Sequence, residues 1–183
     1  ALLGPSFAKE VAKQLPTAVT VASKDAEFAK RLQVLLTSNY FRVYITTDII
    51  GAEIGGAVKN VLAIATGISD GLGFGANAKA ALITRGLHSM KALAKAYGGN
   101  PDTLSGLSGM GDLILTATDD QSRNRRFGLY LGQGLSIKEA KNKINQVIEG
   151  EKGTACIFEL SQIFGIEMPI VAQVHAILQG KVN

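Results

Sequence analysis

Cysteine, tryptophan and histidine are scarce in this sequence. Among its 183 residues there are one cysteine, no tryptophan and two histidines. A single cysteine excludes an internal disulfide and a paired-cysteine metal site, and we expect the Cys156 thiol to be buried because it lies in an apolar, helix-like run. His88 and His175 have no partner at the spacing of a metal site or a catalytic triad. We interpret both as ordinary helix residues and expect no bound metal.

Long hydrophobic runs and clustered charges are also missing. No uninterrupted apolar stretch approaches the roughly 18 to 20 residues of a membrane span, and the first residues lack the basic start of a secretory signal. We therefore expect a cytoplasmic protein without a membrane span. The net charge is +4, but the cationic residues are spread along the chain, which disfavours a nucleic-acid partner and is compatible with a small anionic ligand. Because 46% of the residues are hydrophobic, a packed core is expected.

Two regions with different patterns follow one another along the chain. Residues 1–47 alternate short strand-like and helix-like pieces, with strands expected at 1–3, 17–22 and 41–46 and helices at 7–14 and 25–36. So few strands cannot form an independent sheet, so we expect them to be the last strands of a sheet domain that begins before Ala1. The start of the chain, an apolar run without methionine, indicates the middle of a larger protein.

Helical patterns fill the second region. They cover about 48–68, 77–97, 136–142 and 152–164, and a short one ends near Leu178. Asp48 and Asn77 are expected to cap helix N-termini, and Gly98 and Gly99 to end a helix. The sequence therefore predicts a mainly α protein, with residues 48–183 as a helical domain after the incomplete α/β region 1–47.

A lysine stands out in the first of these helices. At helical spacing Lys59 shares a face with small residues, and it is the only long side chain there (Ala52, Gly55, Gly56, Ala63 and Thr66). Each glycine costs a helix roughly 1 kcal/mol relative to alanine, which indicates that a ligand or another backbone approaches this face closely. Lys59 is our candidate general acid or base. The alternative is a surface lysine beside a close helix contact.

A second polar cluster lies between residues 109 and 126. Flexible glycines precede Asp112, and Ser122, Arg123 and Asn124 follow ten residues later. Arginine binds phosphate or carboxylate through two parallel hydrogen bonds, and the neighbouring hydroxyl and amide add neutral donors. This set suits a phosphomonoester. For Arg125 and Arg126 we favour a solvated basic turn.

One glycine-rich motif does not indicate a dinucleotide site. Residues 71–76 match G-x-G-x-x-A, but they follow a helix rather than a strand and have no acidic residue about 20 positions later. We reject this motif as a dinucleotide fingerprint.

Four motifs, in order, resemble the NAD(P)-dependent glycerol-3-phosphate dehydrogenases, and most closely their bacterial members. The motifs are Gly-Pro-Ser-Phe-Ala at 4–8, Gly-Gly-Ala-Val-Lys-Asn at 55–60, Ser-Asp-Gly-Leu-Gly-Phe-Gly at 69–75 and Gln-Ser-Arg-Asn-Arg-Arg-Phe-Gly at 121–128. The resemblance covers essentially the whole chain. It implies a helical substrate domain of the 6-phosphogluconate dehydrogenase-like C-terminal type, preceded by the end of a Rossmann domain.

The family interconverts dihydroxyacetone phosphate and sn-glycerol 3-phosphate in phospholipid biosynthesis. The resemblance implies that Lys59 exchanges the proton at the substrate oxygen, with Asp112 and Thr116 near the reacting hydroxyls. It further implies substrate and cofactor contacts for a wider set of residues. Those expected to contact substrate are Gly4, Ser6, Lys59, Asp112, Ser122, Arg123 and Asn124, and those expected to contact cofactor are Ala8, Arg123, Val147 and Glu149.

Several points stay open at the level of sequence. The cofactor is NAD or NADP, with NADP favoured by the bacterial resemblance, and the partners are the small-molecule substrate and a possible second copy in a homodimer. The family's dinucleotide fingerprint is not found in these residues, so we expect the chain alone to be inactive. Two alternatives are a related hydroxyacid dehydrogenase domain that binds a carboxylate, and a non-enzymatic helical interaction module.

Overall fold

A three-stranded sheet and two helices form the N-terminal part of the computed structural model, which describes residues 1–181. The elements are β1 (Leu2–Leu3), α1 (Ala8–Ala12), β2 (Thr17–Ala22), α2 (Ala26–Leu36) and β3 (Phe41–Thr46). The sheet order is β1-β2-β3. β1 pairs antiparallel with β2, and β2 pairs parallel with β3 from Thr17 opposite Phe41 to Ala22 opposite Thr46. α2 is the crossover between the two parallel strands, as such a connection requires.

A small apolar core holds this sheet against α2. It consists of Val19, Val21, Ala29 and Val43. The β-branched side chains of β2 fit a pleated surface, and the Asp25 carboxylate caps α2 by accepting from the Phe28 N–H at 2.9 Å. Both longer strands therefore form where their sequence predicts them.

Seven α-helices make up the rest of the described chain, and none of residues 47–181 lies in a strand. They are α3 (Ile49–Gly71), α4 (Gly75–Ala96), α5 (Asp112–Thr118), α6 (Arg123–Gly132), α7 (Ile137–Ile144), α8 (Glu149–Ile163) and α9 (Pro169–Leu178). A 3₁₀ turn at Pro101–Ser105 and a π-helical turn at Leu107–Gly111 join α4 to α5. The mainly α fold is confirmed. Residues 182–183, which belong to the predicted helical domain, lie outside the described residues.

α3 is the central helix of this part. It contacts α4, α5, α6, α8 and α9, and side chains such as Val58, Val61 and Ile64 are fully buried in the larger core. By length and composition α3 could cross a membrane, with a mean hydropathy of 1.4, but 61% of that stretch is buried within the fold. Its apolar character is accounted for by its place in the core.

Glycines bring α3 and α6 unusually close together. A Cβ added at Gly67 would overlap the Arg125 carbonyl oxygen, and one at Gly71 would overlap the Leu129 carbonyl oxygen. Gly128 and Gly132 of α6 meet the α3 carbonyls of Ile64 and Ile68 in the same way. The two helices therefore pack backbone to backbone, which only glycine permits at these positions.

Some local predictions are wrong. Asn77 does not cap α4, because that helix begins at Gly75 after Phe74. The Cys156 thiol is exposed rather than buried, since it lies on a face of α8 that no other described element covers. Arg125 is buried and paired with acidic side chains, so it is not a solvated turn residue. The division of the chain at residue 47 stays a prediction.

Candidate active site

Lys59 and Asp112 meet at one wall of a polar cavity. Lys59 projects from the middle of α3, and Asp112 is the first residue of α5. The Lys59 Nζ donates to Asp112 Oδ2 at 2.5 Å, with 19% of the lysine side chain and 4% of the aspartate side chain exposed. The Thr116 hydroxyl, one turn later on α5, donates to the Asp112 carbonyl at 2.6 Å and lies 3.3 Å from Asp112 Oδ1. The structure thus brings together the three residues predicted to carry the chemistry.

Burial dominates the electrostatics of the Asp112 carboxyl. Loss of water raises the pKa of Asp112 above its ordinary value, while the Lys59 ammonium, the Thr116 hydroxyl and the Gly4 N–H act in the opposite direction. A carboxylate that accepts from these three donors is held in place and can orient the lysine side chain. Because both side chains are largely buried, the ion pair is part of the cavity wall and not an exposed surface contact.

The π-helical turn before α5 sets the position of Asp112. A Cβ at Gly55 of α3 would overlap the Ser108 carbonyl oxygen, and one at Gly109 would overlap Leu104. The turn is therefore seated directly on the α3 backbone, one helical turn before Lys59. π-helical turns are rare and occur mostly at functional sites. The glycine at 55 is explained by this contact, as the small-residue face of α3 predicted.

The opposite wall is the N-terminal turn of α6. The Ser122 hydroxyl caps α6 by accepting from the Arg125 N–H at 3.2 Å. Arg123 is 37% exposed and its Nη2 lies 2.6 Å from Glu149 Oε1. Both Ser122 and Asn124 are only 4% exposed.

Asn124 connects three helices behind this wall. Its Nδ2 donates to Asn60 Oδ1 at 3.0 Å, and its Oδ1 accepts from the Gly150 N–H at 2.9 Å. α3, α6 and α8 are therefore tied together next to the cavity. The amide oxygen of Asn124 is used within the protein, so this residue is as much part of the frame as of the cavity surface.

The cavity between these walls has a volume of about 360 Å³. It is lined by Leu3, Gly4, Ser6, Phe7, Gly56, Lys59, Asn60, Asp112, Leu115, Thr116, Gln121, Ser122, Arg123, Asn124 and Glu149. All the predicted substrate contacts lie on this surface. Its cations and hydroxyls suit a small polar anion.

A second cavity of about 760 Å³ adjoins the first, sharing Phe7, Gln121 and Arg123 with it. Of the predicted cofactor contacts, Ala8 and Arg123 line this second cavity, while Glu149 lines the first. Val147 is 65% exposed and lines neither. In the described residues the structure therefore brings three of the four predicted cofactor contacts to one region.

Sequence reasoning missed some of the residues that line the cavity. Asn60 follows Lys59 directly and lies in the same motif, residues 55–60. Its position next to Lys59 could therefore have identified it. Phe7 and Gln121 lie within the motifs at 4–8 and 121–128, and Leu115 directly precedes Thr116. Each of them is therefore next to a predicted site residue, although only tertiary packing brings it to the cavity. Among residues 1–181 no group of three or more histidine, cysteine or acidic side chains could hold a metal ion.

Comparison with known proteins identifies the family. The family model described as the NAD-dependent glycerol-3-phosphate dehydrogenase C-terminus matches residues 48–183, and the corresponding N-terminus model matches residues 1–29. A glycerol-3-phosphate dehydrogenase [NAD(P)+] of Francisella philomiragia is 56% identical over 182 residues, covering 100% of this chain and 55% of the relative. The enzyme of the same description from Vibrio parahaemolyticus is 57% identical, covering 98% of this chain and 53% of the relative.

Solved structures show the same likeness. The crystal structure of glycerol-3-phosphate dehydrogenase from Coxiella burnetii superposes with a TM-score of 0.96 at 55% identity, over 99% of this chain and 56% of that one. The enzyme from Saccharomyces cerevisiae gives 0.89 at 27% identity, over 100% of this chain and 56% of that one. The chain thus spans about half the length of these relatives. It belongs to the NAD-dependent glycerol-3-phosphate dehydrogenase family.

Proposed function

We propose that this chain is the substrate-binding and proton-transferring part of an oxidoreductase that interconverts dihydroxyacetone phosphate and sn-glycerol 3-phosphate with NAD or NADP. The observation that carries the proposal is the 2.5 Å contact between Lys59 Nζ and Asp112 Oδ2, in a cavity whose opposite wall holds Arg123. A proton donor and an anion-binding side chain thus face one small space. Relatives that are 56% and 57% identical carry the name of this activity.

Lys59 is the proposed proton donor and acceptor. Reduction of a ketone to an alcohol leaves negative charge on oxygen, and an ammonium group beside that oxygen stabilises the charge and delivers the proton. Asp112 holds the ammonium in place and Thr116 holds the carboxylate. In the oxidation direction Lys59 takes the proton from the hydroxyl.

Arg123 is the proposed phosphate-binding residue. Its guanidinium lies on the cavity surface and offers two parallel N–H donors to phosphate oxygens. It also lies in the first turn of α6, a helix of ten residues. The positive end of the helix dipole therefore lies at this wall, where it favours an anion. The ion pair with Glu149 leaves the guanidinium partly exposed, so a phosphate can approach it.

The residues around the second cavity fit a nicotinamide cofactor. Ala8 has a small side chain that allows close approach, Phe7 offers an apolar surface, and Arg123 lies where the two cavities meet. Bound cofactor supplies or accepts the hydride at the substrate carbon. Ala8, Arg123, Val147 and Glu149 are the proposed contacts from this chain, and NADP is the proposed preference.

The test is reduction of dihydroxyacetone phosphate by the full-length protein, followed by loss of NADPH or NADH absorbance. The proposal expects turnover with this substrate and little with a 3-hydroxy or 2-hydroxy carboxylic acid in the reverse direction. Turnover of the carboxylic acids alone would show that the protein is a related hydroxyacid dehydrogenase instead. No turnover with either class would favour a helical interaction module.

The proposal extends to the cellular setting. The full-length protein is proposed to be cytoplasmic and homodimeric. Size-exclusion chromatography with light scattering gives the oligomeric state, and a monomeric mass would contradict the dimer.

A further inference from the structure

An ionic cluster lies behind the cavity wall, away from the cavity itself. Arg125 Nη2 is 2.6 Å from Asp70 Oδ2, and the Lys79 Nζ is 2.8 Å from the same oxygen. Arg125 Nη1 also contacts Asp120. The side chains of Arg125 and Asp70 are only 10% and 14% exposed. None of the residues 70, 79 and 125 lines the cavity that contains Lys59.

This cluster joins α3 and α6, two of the helices that form the cavity. Asp70 lies in the last turn of α3, the helix that carries Lys59, and Arg125 lies in the first turn of α6, two residues after Arg123. Arg123 and Asn124 reach the cavity, while the Arg125 side chain extends to α3. The first turn of α6 therefore places Arg123 and Asn124 at the cavity and the Arg125 side chain against α3.

Besides the Asn60–Asn124 hydrogen bond at 3.0 Å, α3 and α6 meet through close backbone contacts at glycines. Gly67 and Gly71 of α3 lie against backbone atoms of α6, and Gly128 and Gly132 of α6 lie against backbone atoms of α3. Glycines allow close approach but offer no side chain that interlocks with the neighbouring helix. The Arg125 guanidinium contacts Asp70 through Nη2 and Asp120 through Nη1. This planar, directional group adds a second side-chain contact that sets the register of α6 on α3.

We propose that Arg125 and Asp70 are positioning residues that hold the first turn of α6, and with it Arg123, at the right distance from Lys59. The inference rests on the proposed function, since it concerns how the phosphate-binding residue is placed relative to the proton donor. Neither residue lines the first or the second cavity. It acts by setting where the Arg123 guanidinium lies in the cavity.

Asp70→Asn in the full-length protein is the primary test. Asparagine keeps the size of the side chain and Arg125 keeps its contact with Asp120, but the negative charge that anchors Arg125 and Lys79 is lost. The melting temperature of the variant reports whether the fold is retained. The expected result is a rise of about threefold to tenfold in KM for dihydroxyacetone phosphate, with kcat within twofold of the parent. Arg125→Lys keeps the charge without the fork, and we expect a KM between those of the parent and of Arg125→Gln.

Lys141→Met is the matched control. Lys141 pairs with Glu151 at 2.8 Å and joins α7 to α8, which is also an ion pair between helices, but it lies outside the cavity. KM and kcat should not change in this variant, while a small loss of thermal stability is allowed. A melting-temperature loss in Asp70→Asn without any rise in KM would show a purely structural pair and overturn the proposal.

The two levels of the proposal fail differently. If the parent protein does not turn over dihydroxyacetone phosphate, the proposed function is wrong before any variant is compared. If the parent is active and Asp70→Asn lowers kcat at unchanged KM, the function stands and the positioning role of Asp70 and Arg125 is wrong.

Discussion

Gly67→Ala should destabilise the protein, although alanine is the better helix former. The added Cβ would overlap the Arg125 carbonyl oxygen and lie 2.8 Å from the Leu129 nitrogen, and both are backbone atoms that cannot rotate away. Overpacking of this kind costs about 1–3 kcal/mol, and with two backbone obstacles we expect the upper end. The better helix propensity of alanine returns about 1 kcal/mol. The net loss is therefore about 2 kcal/mol.

Gly153→Ala is the matched control with the opposite sign. Gly153 lies in the middle of α8, and a Cβ there would meet no atom within 4 Å. Only the propensity gain remains, so we expect about 0.5–1 kcal/mol of stabilisation. At roughly 2–4 °C per kcal/mol for a protein of this size, the melting temperature should fall by about 4–8 °C in Gly67→Ala and rise by about 1–4 °C in Gly153→Ala. Equal shifts in the two variants, measured by thermal and urea unfolding, would refute the backbone contact between α3 and α6.

Three further predictions concern the cavity. Arg123→Ala should raise KM for dihydroxyacetone phosphate about 10- to 100-fold with a smaller effect on kcat, since a hydrogen bond to a charged group contributes about 1.5–3 kcal/mol; an unchanged KM would remove Arg123 from phosphate binding. Asn124→Ala leaves the Gly150 N–H and Asn60 Oδ1 without their partner, so urea unfolding should show a loss of about 1–3 kcal/mol, and a neutral effect would contradict the network. Because burial raises the pKa of Asp112, the folded state binds its proton more tightly than the unfolded chain. This contribution to stability is present at acid pH and lost as pH rises through the folded pKa. Measured between about pH 4 and pH 7, the unfolding free energy of the parent should therefore fall relative to that of Asp112→Asn, and the opposite trend would mean that the Lys59 ammonium prevails over burial.

The elements that the sequence predicts well are those whose pattern is local. β2 and β3 are found at Thr17–Ala22 and Phe41–Thr46, where β-branched residues sit between turn residues. α3 starts after its Asp48 cap, as predicted. The sequence does not predict α5 and α6, because their helical residues follow glycines or form a basic cluster that is typical of a turn. Tertiary contacts with α3 stabilise both helices, and for α6 these include the glycines of α3.

The candidate site divides in the same way. Lys59 is identified by the small residues around it, and Arg123 by its polar neighbours. Lys59 and Asp112 are 53 residues apart in the chain. The distance between their side chains depends on the π-helical turn and on Gly55, which no local pattern at Asp112 indicates. The partner of Arg125 could not be predicted either, since Asp70 lies 55 residues earlier in the sequence. Contacts of this kind arise only when the helices pack.

The central claim is that Lys59 exchanges the substrate proton, and Lys59→Met in the full-length protein tests it most directly. Methionine keeps the length of the side chain without the ammonium group. With dihydroxyacetone phosphate and NADPH at saturation, kcat should fall about 10²- to 10⁴-fold, whereas Lys24→Met, a change at an exposed lysine before α2, should leave kcat unchanged. A Lys59→Met protein that turns over at the parent's rate would contradict the account.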